Sequence, residues 1–159
     1  MRTLAVVRHA KSDWTHDLPD EERPLNPRGR RDAPVLGGWL AEQLTGGVDL
    51  VVCSTATRAR ETWRLAGPAL EPAPTVRHDE RVYAAGYQDL MSVLDELPDD
   101  VLTAVLVGHN PGLSELVEIL TGEPVALKTA AVALVRWPGG WADVWSRRAS
   151  LVSHATPRG

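Results

Sequence analysis

The chain has 159 residues, 43% of them hydrophobic, which suits one compact domain with a real core and leaves little chain for a second. Its 17 basic and 21 acidic residues give a formal net charge of -4, and the basic ones are scattered, so no patch fitted to nucleic acid is expected. A single cysteine, Cys53, excludes an internal disulfide framework, and the apolar run before Arg8 is too short for a signal peptide or a membrane span, so a cytoplasmic protein without a membrane partner is expected.

From the N-terminus, Thr3 to Val7 is an apolar run predicted to form a buried strand that delivers Arg8 and His9 at its C-terminal end. A polar, proline-bearing connection follows from Ser12 to Arg28, of the kind that borders functional sites where ligands gather at strand ends. Arg28 to Leu44 has helical spacing, with Val35, Leu36, Trp39, Leu40 and Leu44 on the expected buried face despite Pro34 and Gly37-Gly38. Leu50 to Cys53 is a second strand, with Cys53 as a small core hydrophobe. Thr57 to Ala66 is a second helix, stopped by Gly67-Pro68.

Leu70 to Val76 is predicted as a proline-bearing loop leading to a short strand, and Asp89 to Leu97 is a third helix. Val101 to Val107 is another internal strand, followed by a fourth helix from Pro111 to Leu120 with Leu113, Leu116, Val117 and Leu120 on one face. Ala130 to Trp137 and Trp141 to Arg147 flank Pro138-Gly139-Gly140, which predicts an antiparallel hairpin at the sheet edge. Ser153 to Gly159 is expected to fray. Short apolar runs alternating with helices predict a single α/β domain over residues 1–159, its mostly parallel sheet covered on both faces.

Two stretches share one construction: a strand runs into Arg8-His9, and another into Gly108-His109-Asn110 before a helix. Between them, Arg58 falls on the first turn of the second helix, where backbone N–H groups and the positive dipole end add to its charge. Arg8, His9, Arg58 and His109 together suit a phosphoryl group, since arginine presents a planar fork of donors to phosphate oxygens and one imidazole can attack phosphorus. For attack His9 must be neutral, which the neighbouring arginines favour. A backbone carbonyl bound to one ring nitrogen would leave the other free.

Ser12, Asn26 and Ser54 are candidate phosphate donors, although such residues near loops also cap turns and helices. Trp14 follows the nucleophile closely enough to line the entrance, whereas Trp39, Trp63, Trp137 and Trp145 suit core packing. His16, His78 and His154 lie outside these motifs and are expected at the surface. No histidine pair has metal-ligand spacing and two arginines beside the site repel a cation, so neither metal nor organic cofactor is expected.

Arg8-His9-Ala10, the stretch from Ser54 to Thr62 around Arg58, and Gly108-His109-Asn110 resemble, in order, the signature motifs of the histidine phosphatase superfamily. Arg23-Pro24-Leu25-Asn26-Pro27-Arg28-Gly29 resembles a further landmark, the loop that opens the first helix. Within the superfamily, Arg8-His9-Ala10-Lys11-Ser12, Arg23-Pro24-Leu25 and the short chain look most like the SixA-type phosphohistidine phosphatases.

That resemblance implies a three-layer α/β/α domain of the phosphoglycerate mutase-like fold and a phosphoenzyme formed on His9. It also implies removal of phosphate from phosphohistidine on a partner protein, and a monomer or weak dimer is expected. Relatives in the mutase branch carry a glutamate general acid, for which Glu80, or alternatively Asp79, is the matching residue here. A small phosphate ester is the alternative substrate, and a noncatalytic phosphate-binding protein the alternative outside enzymes.

Overall fold

The computed structural model describes residues 1–159. Its strands are β1 (Arg2–Arg8), β2 (Leu50–Cys53), β3 (Thr75–His78), β4 (Thr103–Gly108), β5 (Val132–Trp137) and β6 (Ser150–Ala155), and its helices α1 (Pro27–Gln43), α2 (Thr57–Ala66), α3 (Tyr87–Asp95) and α4 (Gly112–Thr121). The strands form one six-stranded sheet in the order β3-β2-β4-β1-β5-β6. β3, β2, β4 and β1 run parallel, and β5 and β6 close one edge antiparallel.

Alternation along the central strands builds a core on each face of the sheet. Leu4 and Val6 of β1 join Leu106 of β4 in a 24-residue cluster under α3 and α4, whereas Ala5, Val7, Val105 and Val107 belong to a 16-residue cluster under α1 and α2. Cys53 is fully buried in the second cluster, and loss of solvent pushes its thiol up to about 12, so it is an inert core residue.

α1 and α4 form where expected, and the α4 face of Leu113, Leu116, Val117 and Leu120 is buried. The buried face of α1 is rotated from the expected one: it carries Gly29, Ala33, Leu36, Gly37 and Leu40, while Val35 is exposed and Trp39 half-buried. The rotation follows from the glycines. A Cβ on Gly37 would collide with the Ala66 backbone of α2, and one on Gly29 with the Lys11 carbonyl, so the helix faces the site loop and α2 through positions without side chains.

The C-terminal region differs from the expected hairpin. Trp141–Ser146 is a 3₁₀ segment, and the partner of β5 is β6. Trp141, Val144 and Trp145 stand at i, i+3 and i+4, a helical spacing rather than an alternating one. Trp141 and Val144 are buried on the core, and the Trp141 indole N–H donates to the Val101 carbonyl at 2.7 Å. Trp145, expected in the core, is exposed and donates to Asp95.

Nor is the tail frayed: Ser153 to Ala155 lie in β6, and Asp32, 1% exposed on α1, accepts from the Gly159 amide at 2.9 Å and from Arg158 at 3.2 Å. A buried carboxylate needs such partners, and the tail supplies them. His16, His78 and His154 are exposed, and no helix is long and apolar enough to cross a membrane.

Candidate active site

Register brings the two histidines together. In the β1–β4 ladder Arg8 pairs with Gly108, so His9 and His109 leave adjacent parallel strands at the same level, and their ring centroids lie 5.1 Å apart. β2 lies on the other side of β4 and the Ser54 amide donates to the Val107 carbonyl, which carries Ser54 and the start of α2 to the same edge.

The backbone after His9 is tied to α2. The Ala10 amide donates to Thr62 Oγ1 at 2.9 Å, and the Thr62 hydroxyl donates to the Arg58 carbonyl at 2.7 Å. So anchored, the Ala10 carbonyl lies 2.7 Å from His9 Nδ1. A carbonyl only accepts, so Nδ1 carries the proton and Nε2 keeps its lone pair. His9 is 6% exposed, and burial, reinforced by His109, Arg58 and Arg8, pushes its pKa down to about 3. It is therefore a neutral imidazole at neutral pH.

His109 Nε2 shares a 2.7 Å hydrogen bond with Ser54 Oγ, and burial, with Arg58 next in effect, lowers its pKa to about 4. Arg8 directs Nη1 to the Leu127 carbonyl, and its Nε has no protein partner. Burial and the Arg58 charge also lower the Arg8 pKa from its ordinary value.

Arg8, His9, Ser12, Trp14, Arg58 and His109 line a single cavity of about 200 Å³, together with Lys11, Arg23, Asn110 and Thr129. Trp14 stands at its mouth, 72% exposed, with the Arg23 guanidinium 3.4 Å from its ring centroid. Ser12 is buried and accepts from Arg23 at 2.9 Å.

Three predicted residues lie elsewhere. Asn26 caps α1, accepting from the Gly29 amide, and Ser54 sits behind His109, outside the cavity lining. Glu80 is exposed in the 3₁₀ turn Glu80–Val82 and lines neither the phosphoryl cavity nor the one beside it. Asp79, the alternative acid, accepts from the Arg81 amide and guanidinium, with Arg81 the largest cause of its lowered pKa.

Arg23 and Asp20 are the site residues that the sequence reading missed. Both come from the Ser12–Arg28 connection, which doubles back through the Ser12–Leu25 bridge and is pinned to α2 by the Leu25 amide donating to Glu61. Asp20 accepts from Arg58 through its backbone carbonyl (2.7 Å) and its carboxylate (3.1 Å), from Arg23 Nε at 3.2 Å and from the Tyr83 hydroxyl at 2.6 Å. Tyr83, followed by Arg58 and Arg23, holds its pKa down to about 2. The available signal is the Arg23-Pro24-Leu25 landmark itself, which the sequence marks as a helix opening and a SixA-type stretch and not as part of the site.

A basic cavity built around two neutral histidines at strand ends is a site for an anion. The family model for histidine phosphatase superfamily (branch 1) matches residues 4–89 of this chain. The chain belongs to that superfamily. An uncharacterised protein of Mycobacterium tuberculosis is 40% identical over 163 aligned positions, spanning 96% of this chain and all of the relative. The solved structure of a SixA protein from Nakamurella multipartitia superposes with a TM-score of 0.87 at 30% identity, covering 98% of this chain and 96% of that one. A mycobacterial glucosyl-3-phosphoglycerate phosphatase shares the fold at a TM-score of 0.70 and 19% identity, with full coverage of both chains. The histidine phosphatase fold and the SixA-type likeness are thus both present, and the superfamily implies phosphatase activity.

Proposed function

We propose that this histidine phosphatase removes phosphate from phosphohistidine on a partner protein, through a phosphoenzyme on His9. The observation that carries the reading is the hydrogen bond from His9 Nδ1 to the Ala10 carbonyl, which leaves Nε2 as the lone pair available in a cavity lined by arginines.

In the first step His9 Nε2 attacks phosphorus in line, and Arg8, Arg58 and His109 hold the three spreading oxygens. The substrate's P–N bond breaks, its electron pair passing to the leaving imidazole nitrogen. Water then hydrolyses the phosphoenzyme and restores His9. Ser12 and Arg23 act as one unit at the cavity wall, Ser54 sets the His109 ring, and Trp14 shapes the entrance. Asn26 serves by capping α1, and Glu80 takes no part.

The leaving group argues for phosphohistidine. An alkoxide needs a proton donor, yet Asp20, paired with Arg58, is held ionised and Glu80 lies outside the cavities, which leaves Glu115 as the one other carboxyl group in the larger lining. A ring-protonated phosphoimidazole departs without one. The second reading, a small phosphate ester, is favoured by the adjoining cavity of about 460 Å³, which has room for a sugar.

Steady-state comparison of a histidine-phosphorylated protein with a panel of sugar and nucleotide phosphates separates the two, and a strong preference for the esters overturns the phosphohistidine assignment. Rapid quenching with labelled substrate should yield an acid-labile phosphoenzyme in the wild type. Binding without turnover or phosphoenzyme would make this a phosphate-binding protein instead.

A further inference from the structure

We infer that Asp20 is the residue by which this site selects a phosphoramidate over a phosphate ester, its carboxylate accepting a hydrogen bond from the distal ring N–H of a protonated phosphoimidazole. The inference rests on the phosphohistidine reading above and assigns the recognition of the leaving group.

The phosphoryl cavity adjoins the larger one, and the two share Arg58, His109 and Asn110. His9 lines the first and not the second, so the second accommodates what departs on the side away from the nucleophile. Its charged lining is Asp20 and Glu115 against Arg58 alone, and Arg58 already directs Nη1 and Nη2 at Asp20. A basic chamber for the dianion thus opens onto an acidic one.

Asp20 has the capacity for one more donor. An ionised carboxylate offers about four lone-pair positions. Oδ1 accepts from Arg23, and Oδ2 from Arg58 and Tyr83, which occupies three and leaves one on a side chain 49% exposed. The groups facing it are Arg58 from α2, Arg23 from its own loop, the Tyr83 hydroxyl, and neutral His109 from the end of β4, with Glu21 beside it and Glu115 across the cavity. Of these, Tyr83, Arg58 and Arg23 fix the carboxylate in its charged form.

The electron count is simple. In the reactive substrate the ring carries a proton on the nitrogen distal to phosphorus, and the ring is cationic. As His9 Nε2 bonds to phosphorus, the P–N pair moves onto the ring, which leaves as neutral imidazole with its distal proton still in place. No proton crosses to the enzyme. A carboxylate on that N–H favours the protonated ring and keeps it populated above the pH at which free phosphohistidine loses its proton. The same charge opposes the negative oxygen of a departing alkoxide or phenolate, which is a repulsive element against esters.

The test compares wild type, D20N and D20E on two probes, a synthetic phosphohistidine peptide and p-nitrophenyl phosphate, from about pH 5.5 to 9. Loss of a hydrogen bond to a charged group predicts that D20N lowers kcat/KM on the peptide about ten- to a hundredfold above neutral pH. The loss should shrink at acid pH, where the ring protonates unaided, while kcat/KM on the ester rises severalfold. D20E, which keeps the charge, should retain the wild-type pH profile on the peptide. Equal losses on both probes with no change of profile overturn the role of Asp20 and leave the phosphohistidine reading standing. Turnover of the ester by wild type without turnover of the peptide overturns both.

Discussion

Two cavities meet at Arg58 and His109, and they differ in charge more than in position. The smaller is walled by Arg8, Lys11, Arg23 and Arg58 around two neutral imidazoles, and the larger is lined by Asp20, Glu115 and Tyr83. The basic lining of the first suits an anion. On the proposed function, the second meets the group from which the phosphate departs. On the same proposed function, chemistry common to the family resides in the smaller cavity and substrate choice in the larger.

Changes in the smaller cavity should be the most damaging and should not discriminate among substrates. His9→Ala is expected to lower kcat by at least about a thousandfold on phosphohistidine and ester alike, with no phosphoenzyme in rapid-quench experiments. A variant that still turned over both substrates would break the division of labour. Arg58→Ala should cost about a hundred- to a thousandfold in kcat/KM, the scale of removing one preorganised donor from a developing charge. Because Arg58 also holds Asp20, its loss should lower phosphohistidine turnover more than ester turnover, and an equal loss would count against the coupling of the two cavities.

The four central residues of these cavities could be read in the sequence and the residues brought in by loops could not, for a physical reason. Arg8, His9, Arg58 and His109 sit at the ends of strong periodic elements, so strand register carries them to one edge of the sheet without help from loops. Asp20, Arg23 and Tyr83 sit in or directly after three-residue 3₁₀ turns, too short for periodicity to specify direction. Their meeting depends on the doubling back of the Ser12–Arg28 connection and on the Glu80–Val82 turn.

The same distinction governs the fold. The parallel core follows from apolar runs, while the C-terminal edge was misplaced because Trp141, Val144 and Trp145 follow a helical period beside a turn signal typical of a hairpin. The tail's docking depends on buried Asp32, a polar residue on an otherwise apolar face, which hydrophobic patterning cannot reveal.

Support of His109 gives a smaller effect within the first cavity. Ser54→Ala removes the hydroxyl at 2.7 Å that fixes the ring, and a loss of about tenfold in kcat/KM is expected on both substrates. A substrate-dependent loss would show that His109 belongs as much to the second cavity as to the first.

Acid should reveal the cost of keeping both imidazoles neutral. The folded pKa values of His9 and His109 are lowered to about 3 and about 4 from 6.5, so between these limits the unfolded chain binds more protons than the folded one. Stability is then full above about pH 6.5 and falls as the pH drops toward the folded values. Thermal unfolding should show Tm declining through this window in the wild type. The decline should be shallower in a His9→Gln variant, which removes one of the two proton-linked groups.

The smallest effect should come from Tyr83, whose hydroxyl donates to Asp20 at 2.6 Å while the ring packs edge-on to His109 at 5.6 Å. Tyr83→Phe keeps the ring and removes only the donor. Arg58 and Arg23 still hold the carboxylate, so Asp20 stays charged but is less firmly aimed. The phosphohistidine rate should fall by about two- to fivefold, within the range of one exposed hydrogen bond, and the ester rate by less. If instead both rates fell together, Tyr83 would act through the His109 ring and the first cavity. Unchanged rates would mean that the two arginines alone fix Asp20.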